Sequence, residues 1–159
     1  MTFIPEQTID QITVELENSE VKFEQALTHM EAEQPNVLAY LLSENFAVLT
    51  HLEKDYLLFL AITIWKSIKK EVDTIALVAE DKIGQTEEKN WEIMSAAKGK
   101  TFRDRLDVFF ADTPQEDLLA LVEDALTLDD DDEEKGVSKE GREPMFVALK
   151  TTIDVLTGA

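Results

Sequence analysis

The stretch that decides the fold is the apolar run YLLFLAITIW at residues 56–65. Asp55 and Lys66 bound it, and ten residues are too few for the bilayer core, which needs roughly 20 in a helix. Because the run is apolar around nearly the whole circumference of a helix, it is typical of a helix buried on several sides. We therefore predict a central hydrophobic helix at about residues 51–81.

The residues before this run predict two further helices. Apolar residues recur every seven positions and predict a first helix at about residues 6–33: Ile9, Leu16, Phe23 and Met30. Pro35 suits the first turn of a second helix, because its missing N–H would have no partner there. Thr50 and Glu53 have capping-box spacing, which marks the start of the central helix.

The residues after the run predict short helices joined by loops. Gly84 is expected to end the central region, and Thr86 and Thr101 are expected to cap two short helices. The sequence Thr113-Pro114-Gln115-Glu116 predicts another helix start, and the last helix begins at Ser138 or at Glu143-Pro144. Since no Asn-Gly or Asp-Gly hairpin turn occurs, we predict an all-α, irregular bundle of six or seven helices in one domain, residues 1–159.

Charge is the second strong feature of the sequence. Thirty-four acidic residues against fifteen basic ones give a net charge of −19, which repels nucleic-acid backbones and anionic lipids and attracts basic partners or cations. Six consecutive carboxylates, Asp129 to Glu134, predict a flexible acidic loop at 129–137 that solubilises the chain or binds a basic surface. We expect no nucleic-acid partner and no membrane partner.

The sequence lacks the residues that several kinds of chemistry require. Cysteine is absent, which excludes disulfides, thiolate metal sites and cysteine nucleophiles, and no serine lies in a Gly-x-Ser-x-Gly elbow. The first residues, from Met1 to Glu6, show no export signal, so a cytoplasmic protein is expected. No catalytic residue and no cofactor is predicted.

A metal site is the first alternative to weigh. His29 with Glu33 and His51 with Asp55 are each four residues apart, so each pair shares one helix face and could contribute two ligands. Helical di-metal sites use Glu-x-x-His instead, and the positions three before these histidines hold Ala26 and Val48. Ordinary surface histidines are the competing interpretation.

A phosphate site is the second alternative. Gly99-Lys100-Thr101 matches the end of a P-loop, but that motif needs glycine where this chain has Met94. The basic cluster of Lys98, Lys100, Arg103 and Arg105 could hold a phosphate or an acidic peptide, or it could pair with Asp104 and Asp107.

Three phenylalanines are candidates for an interface. Phe109 and Phe110 are neighbours about 100° apart on a helix, and such neighbours are rarely buried equally well. Phe102 lies close to them in sequence. Exposed aromatic side chains often anchor protein interfaces.

The preferred interpretation is a non-enzymatic acidic module that binds a protein partner or a second copy of itself, as a homodimer, through an apolar patch rimmed by carboxylates. Inhibitor, immunity-type and adaptor roles all fit this description. The alternative is a bundle that binds a metal or a phosphate ligand, including a metal-dependent hydrolase.

Overall fold

A computed structural model describes residues 2–127 and 137–158, which form eight α-helices and no strand. The helices are α1 (Glu6–Asn18), α2 (Glu20–Glu33), α3 (Pro35–Leu41), α4 (His51–Glu71), α5 (Glu80–Ala96), α6 (Phe102–Asp112), α7 (Glu116–Thr127) and α8 (Lys139–Thr157), with a 3₁₀ turn at Glu44–Phe46. The all-α prediction is confirmed. The predicted acidic loop at 129–137 lies, except for Val137, outside the described residues.

The described residues form eight helices, instead of six or seven, because the predicted helix at 6–33 is divided at Ser19. This residue has an extended backbone, with φ −145° and ψ 105°, and its side chain accepts a hydrogen bond from the Lys22 N–H at 3.2 Å. Serine side chains compete in this way with the backbone bonds of a helix. The apolar seven-residue spacing therefore runs through two helices.

The hydrophobic helix α4 ends at Glu71, ten residues earlier than predicted. The chain after it is extended and bonds to the buried side chain of Gln34, which donates to Ala76 O at 2.9 Å and accepts from Val78 N at 3.0 Å. The Gln34 amide thus bonds two backbone groups that would have formed helical hydrogen bonds if α4 were longer. Gly84, predicted as a stop, lies inside α5.

The most completely buried helix is α8, with thirteen of its 19 residues buried, against ten of 21 in α4. It packs against α4, α5 and α7. Ser138 caps its start by accepting from Gly141 N at 3.1 Å, so Pro144 falls inside the helix. Burial is therefore greatest along α8 and covers about half of α4.

Glu53 joins the starts of α4 and α8. Its carboxylate accepts from Thr50 N at 2.9 Å, which completes the predicted capping box, and from Ser138 N and Oγ at 2.9 and 2.8 Å. Burial opposes ionisation, but these hydrogen bonds outweigh it and hold the pKa of Glu53 below its usual 4.5. One buried carboxylate therefore fixes both helix ends.

Gln115 holds the first residues of the chain against α7. Its buried side chain accepts from Ile4 N at 3.0 Å and donates to Thr2 O at 2.9 Å. Thr113 accepts from Gln115 N at 3.1 Å, and α7 begins at Glu116, two residues later than the predicted start at Pro114. This arrangement places α1 beside α7.

Candidate functional site

Helices α1, α4 and α7 enclose an open groove with a volume of about 300 Å³. Its floor is mainly apolar and consists of Ile9, Thr13, Tyr56, Phe59, Leu60, Ala120, Leu121 and Ala125. Its rim is acidic and consists of Glu6, Asp10, Glu17, Asp117 and Asp124. We call this feature the acidic groove.

The acidic groove is fixed at both ends by hydrogen bonds between its helices. At one end, α1 and α7 both begin, and Glu6 N donates to Asp117 Oδ2 at 2.9 Å. Towards the other end, the Tyr56 hydroxyl of α4 donates to Ala125 O of α7 at 3.4 Å. The groove is therefore part of the packed fold.

The rim carboxylates are largely free to meet a ligand. Glu6, Asp10 and Glu17 form no ion pair with any side chain in the described ranges, while Asp124 lies 3.9 Å from Arg103 in a pair that is mostly exposed. No basic side chain is among the described residues that line the groove. Because like charges are concentrated beside a low-dielectric floor, the groove attracts cations.

The first predicted metal pair, His29 with Glu33, lies on α2. The His29 imidazole contacts the Glu33 carboxylate, which also accepts from Lys69 Nζ at 3.1 Å. Burial would raise the pKa of Glu33, but Lys69 and His29 together lower it below its usual value. His29 also packs edge-on against Trp65, with ring centres 5.8 Å apart.

The second predicted pair is exposed and distant from the first. His51 and Asp55 lie 3.8 Å apart, with side chains 90% and 68% exposed. His51 begins α4, and Trp65, which contacts His29, lies fourteen residues further along this helix. About 21 Å of helix therefore separates the two histidine pairs. Within residues 2–127 and 137–158, no three His, Asp or Glu side chains converge as a metal site would need.

The three interface candidates do not form one exposed surface. Phe109 is buried in the core, 3% exposed, with its ring centre 4.8 Å from that of Phe146. Phe102 meets the same Phe146 ring edge-on at 6.1 Å, and Phe110 is half-buried against the core. Of the neighbours Phe109 and Phe110, Phe109 therefore faces the core and cannot contact a partner. Among the three candidates, Phe102 and Phe110 are partly exposed.

The basic cluster is partly paired, with acidic partners other than those expected. Arg103 binds Glu123 at 3.1 Å, and Arg105 pairs with Glu143. Asp104 instead uses its backbone N–H to bond the Thr101 side chain, which confirms Thr101 as a helix cap. The two arginines therefore fasten α6 to α7 and α8.

The chain matches no family model, no curated protein sequence and no solved structure.

No helix in the described part of the chain is both long enough and apolar enough to span a membrane.

The acidic groove was not among the predicted sites, although the sequence contains a signal for its rim. Asp10 with Glu17 and Asp117 with Asp124 are each seven residues apart, a spacing that places both carboxylates of a pair on one helix face beside apolar residues. The pairing of α1 with α7 could not be read from the sequence, because it depends on long-range packing and on Gln115.

Proposed function

We propose that this protein is a non-enzymatic interaction module that binds a basic, amphipathic helical segment of a partner protein in the acidic groove. The observation that carries the proposal is the apolar floor flanked by five carboxylates, with no basic residue among its described lining. Apolar side chains of the partner would enter the floor while its lysines and arginines meet the rim. This is the helix-in-groove mode of peptide recognition.

The dimensions of the acidic groove favour a short helix as its occupant. Glu6 and Glu17, at its two ends, are eleven residues apart on α1 and so span about 16 Å, the length of roughly three helical turns. A volume of about 300 Å³ accepts the anchor side chains of such a helix, while the rim contacts the rest.

The overall charge favours a foreign basic partner over a second copy of the chain. Two copies each carry −19, so bringing their rims together would oppose association. A basic partner is instead steered towards the groove by the same field. Inhibitor, immunity-type and adaptor roles would each use such an acidic site on a basic target.

A synthetic peptide tests the proposal. It spans three helical turns, with leucine on one face and lysine elsewhere, and its binding is measured by isothermal titration calorimetry at low salt. Neutralising the rim with Asp10→Asn, Glu17→Gln and Asp124→Asn together should weaken binding by about 2 kcal/mol, roughly thirtyfold.

A matched control separates the groove from the general charge. Glu24→Gln, Glu31→Gln and Glu88→Gln change the net charge by the same three units at exposed positions on α2 and α5, outside the groove. This variant should bind within about twofold of the original protein, since exposed distant charges are screened. Equal weakening of both variants, or no binding of the peptide at low salt, would refute the proposal.

A further inference from the structure

A second, separate pocket lies on another side of the molecule, between α5, α8 and the end of α6. Its volume is about 570 Å³, within the range typical of small-molecule sites. Ile93, Val108 and Pro114 provide part of an apolar wall, and Lys89, Lys150 and Asp154 are among its charged residues. None of its residues belongs to the acidic groove.

A buried polar network forms one side of this pocket. The Lys150 ammonium donates to both Asp154 oxygens, at 2.6 and 2.7 Å, and these two side chains are only 12% and 8% exposed. Asn90 is 1% exposed and uses its Nδ2 to donate to Thr151 Oγ1 at 3.1 Å and Asp154 Oδ2 at 3.2 Å. Buried charges are costly, so such a network is retained only where its members satisfy one another or a ligand.

The network leaves one donor and one acceptor unused. Lysine has three N–H donors, and only two of those on Lys150 reach Asp154. Asn90 Oδ1 accepts no hydrogen bond from any described residue. Water or a polar group of a ligand in the pocket can meet these two atoms.

The charges of the pocket indicate what kind of ligand fits. Lys89 and Lys150 could hold a carboxylate, while Asn90 Oδ1 and the carboxylates of Asp154 and Asp112 could accept from an ammonium group. The surrounding protein carries −19, which opposes a ligand with net negative charge. A zwitterion has no net charge and can meet both members of the Lys150–Asp154 pair.

We propose that the pocket between α5, α6 and α8 binds a free α-amino acid with an apolar side chain. Its carboxylate would face Lys150 and Lys89, its ammonium group would face Asn90 and Asp154, and its side chain would pack on Ile93, Val108 and Pro114. The proposal is independent of the acidic groove, since the two sites share no residue.

Calorimetric titration of the full chain with L-leucine, L-valine and L-phenylalanine tests this site. At least one of the three should bind. Two truncated analogues of it serve as controls: the amine without the carboxylate and the acid without the amine. Each should bind at least about tenfold more weakly, because each leaves polar groups of the pocket unpaired. No binding by any of the three amino acids, or equal binding by the analogues, would overturn the proposal.

Substitutions locate the site independently of the ligand series. Lys150→Met should weaken binding at least about tenfold, while Lys66→Met, which removes a comparable ion-paired lysine of α4 outside the pocket, should leave it unchanged. Lys89 is exposed, so Lys89→Met tests the same end of the pocket without disturbing the core. Unchanged binding in both the Lys150 and Lys89 variants would overturn the assignment.

Discussion

Replacing Gly141 by alanine is expected to destabilise the fold, although the same change usually stabilises a helix. Gly141 lies in the first turn of α8, where alanine would ordinarily gain about 0.5–1 kcal/mol. A Cβ at this position would lie 2.5 Å from Glu53 Oε2, which is too close for two non-bonded atoms. The carboxylate must therefore leave its place.

The cost of that movement follows from the bonds of Glu53 Oε2. It accepts from both Ser138 N and Ser138 Oγ, and hydrogen bonds to a charged group contribute about 1.5–3 kcal/mol each. Losing both, with some recovery through water, should cost about 3 kcal/mol. After subtracting the gain in helix propensity, we expect Gly141→Ala to lower the free energy of unfolding by about 2 kcal/mol.

The sign of the effect should reverse when Glu53 is removed first. In a Glu53→Ala background the nearest remaining contact is the Ser138 side chain at 3.2 Å, so Gly141→Ala should stabilise by about 0.5–1 kcal/mol. The coupling between the two sites is then about 3 kcal/mol, at the upper end for residues in contact.

Urea unfolding of the four proteins, followed by far-ultraviolet circular dichroism, measures this coupling from the midpoints and slopes. If Gly141→Ala stabilises in both backgrounds, or if the two changes are additive within about 0.5 kcal/mol, Glu53 does not hold the two helix ends as described.

Three further predictions concern other parts of the molecule. Burial and a hydrogen bond to Glu87 raise the pKa of Tyr40 far above its usual 10.0, so the hydroxyl keeps its proton in the folded chain. The free energy of unfolding should therefore fall as the pH rises above about 10. Tyr40→Phe should reduce that fall, which urea unfolding at alkaline pH measures. Gln115→Ala should cost about 2 kcal/mol and increase hydrogen exchange at Ile4, because two backbone groups lose their partners; unchanged exchange at Ile4 would contradict this. Leu121→Ser, at a half-buried position of the groove floor, should weaken binding of the basic peptide at least about fivefold and lower the free energy of unfolding by less than about 2 kcal/mol. Calorimetry measures the first effect and urea unfolding the second.

Local signals in the sequence predicted local structure well. Thr50 and Glu53 satisfy each other within one helical turn, so the start of α4 was predicted correctly. The end of α4 was not, because Gln34 provides hydrogen bonds from 42 and 44 residues away to the chain after Glu71. Similarly, the Ser19 break depends on a competition between side-chain and backbone bonds that an apolar spacing cannot show.

For the acidic groove too, the sequence predicts local features but not long-range packing. The carboxylate pairs of the rim can be found in the sequence as seven-residue spacings, but the floor between them combines residues of α1, α4 and α7 that are more than 40 residues apart in the chain. Phe109 is a second long-range case, since its burial depends on Phe146 of α8. Which of two adjacent aromatic residues faces inward is set by that distant partner.

Two-dimensional amide NMR of the labelled protein, titrated with the lysine–leucine peptide, shows whether the acidic groove binds a basic helix. We expect the largest chemical-shift changes on α1, α7 and the adjoining part of α4, including Thr13, Leu60 and Leu121. Changes centred instead on the exposed apolar residues Leu42, Val48 and Leu52, or no changes at all, would contradict it.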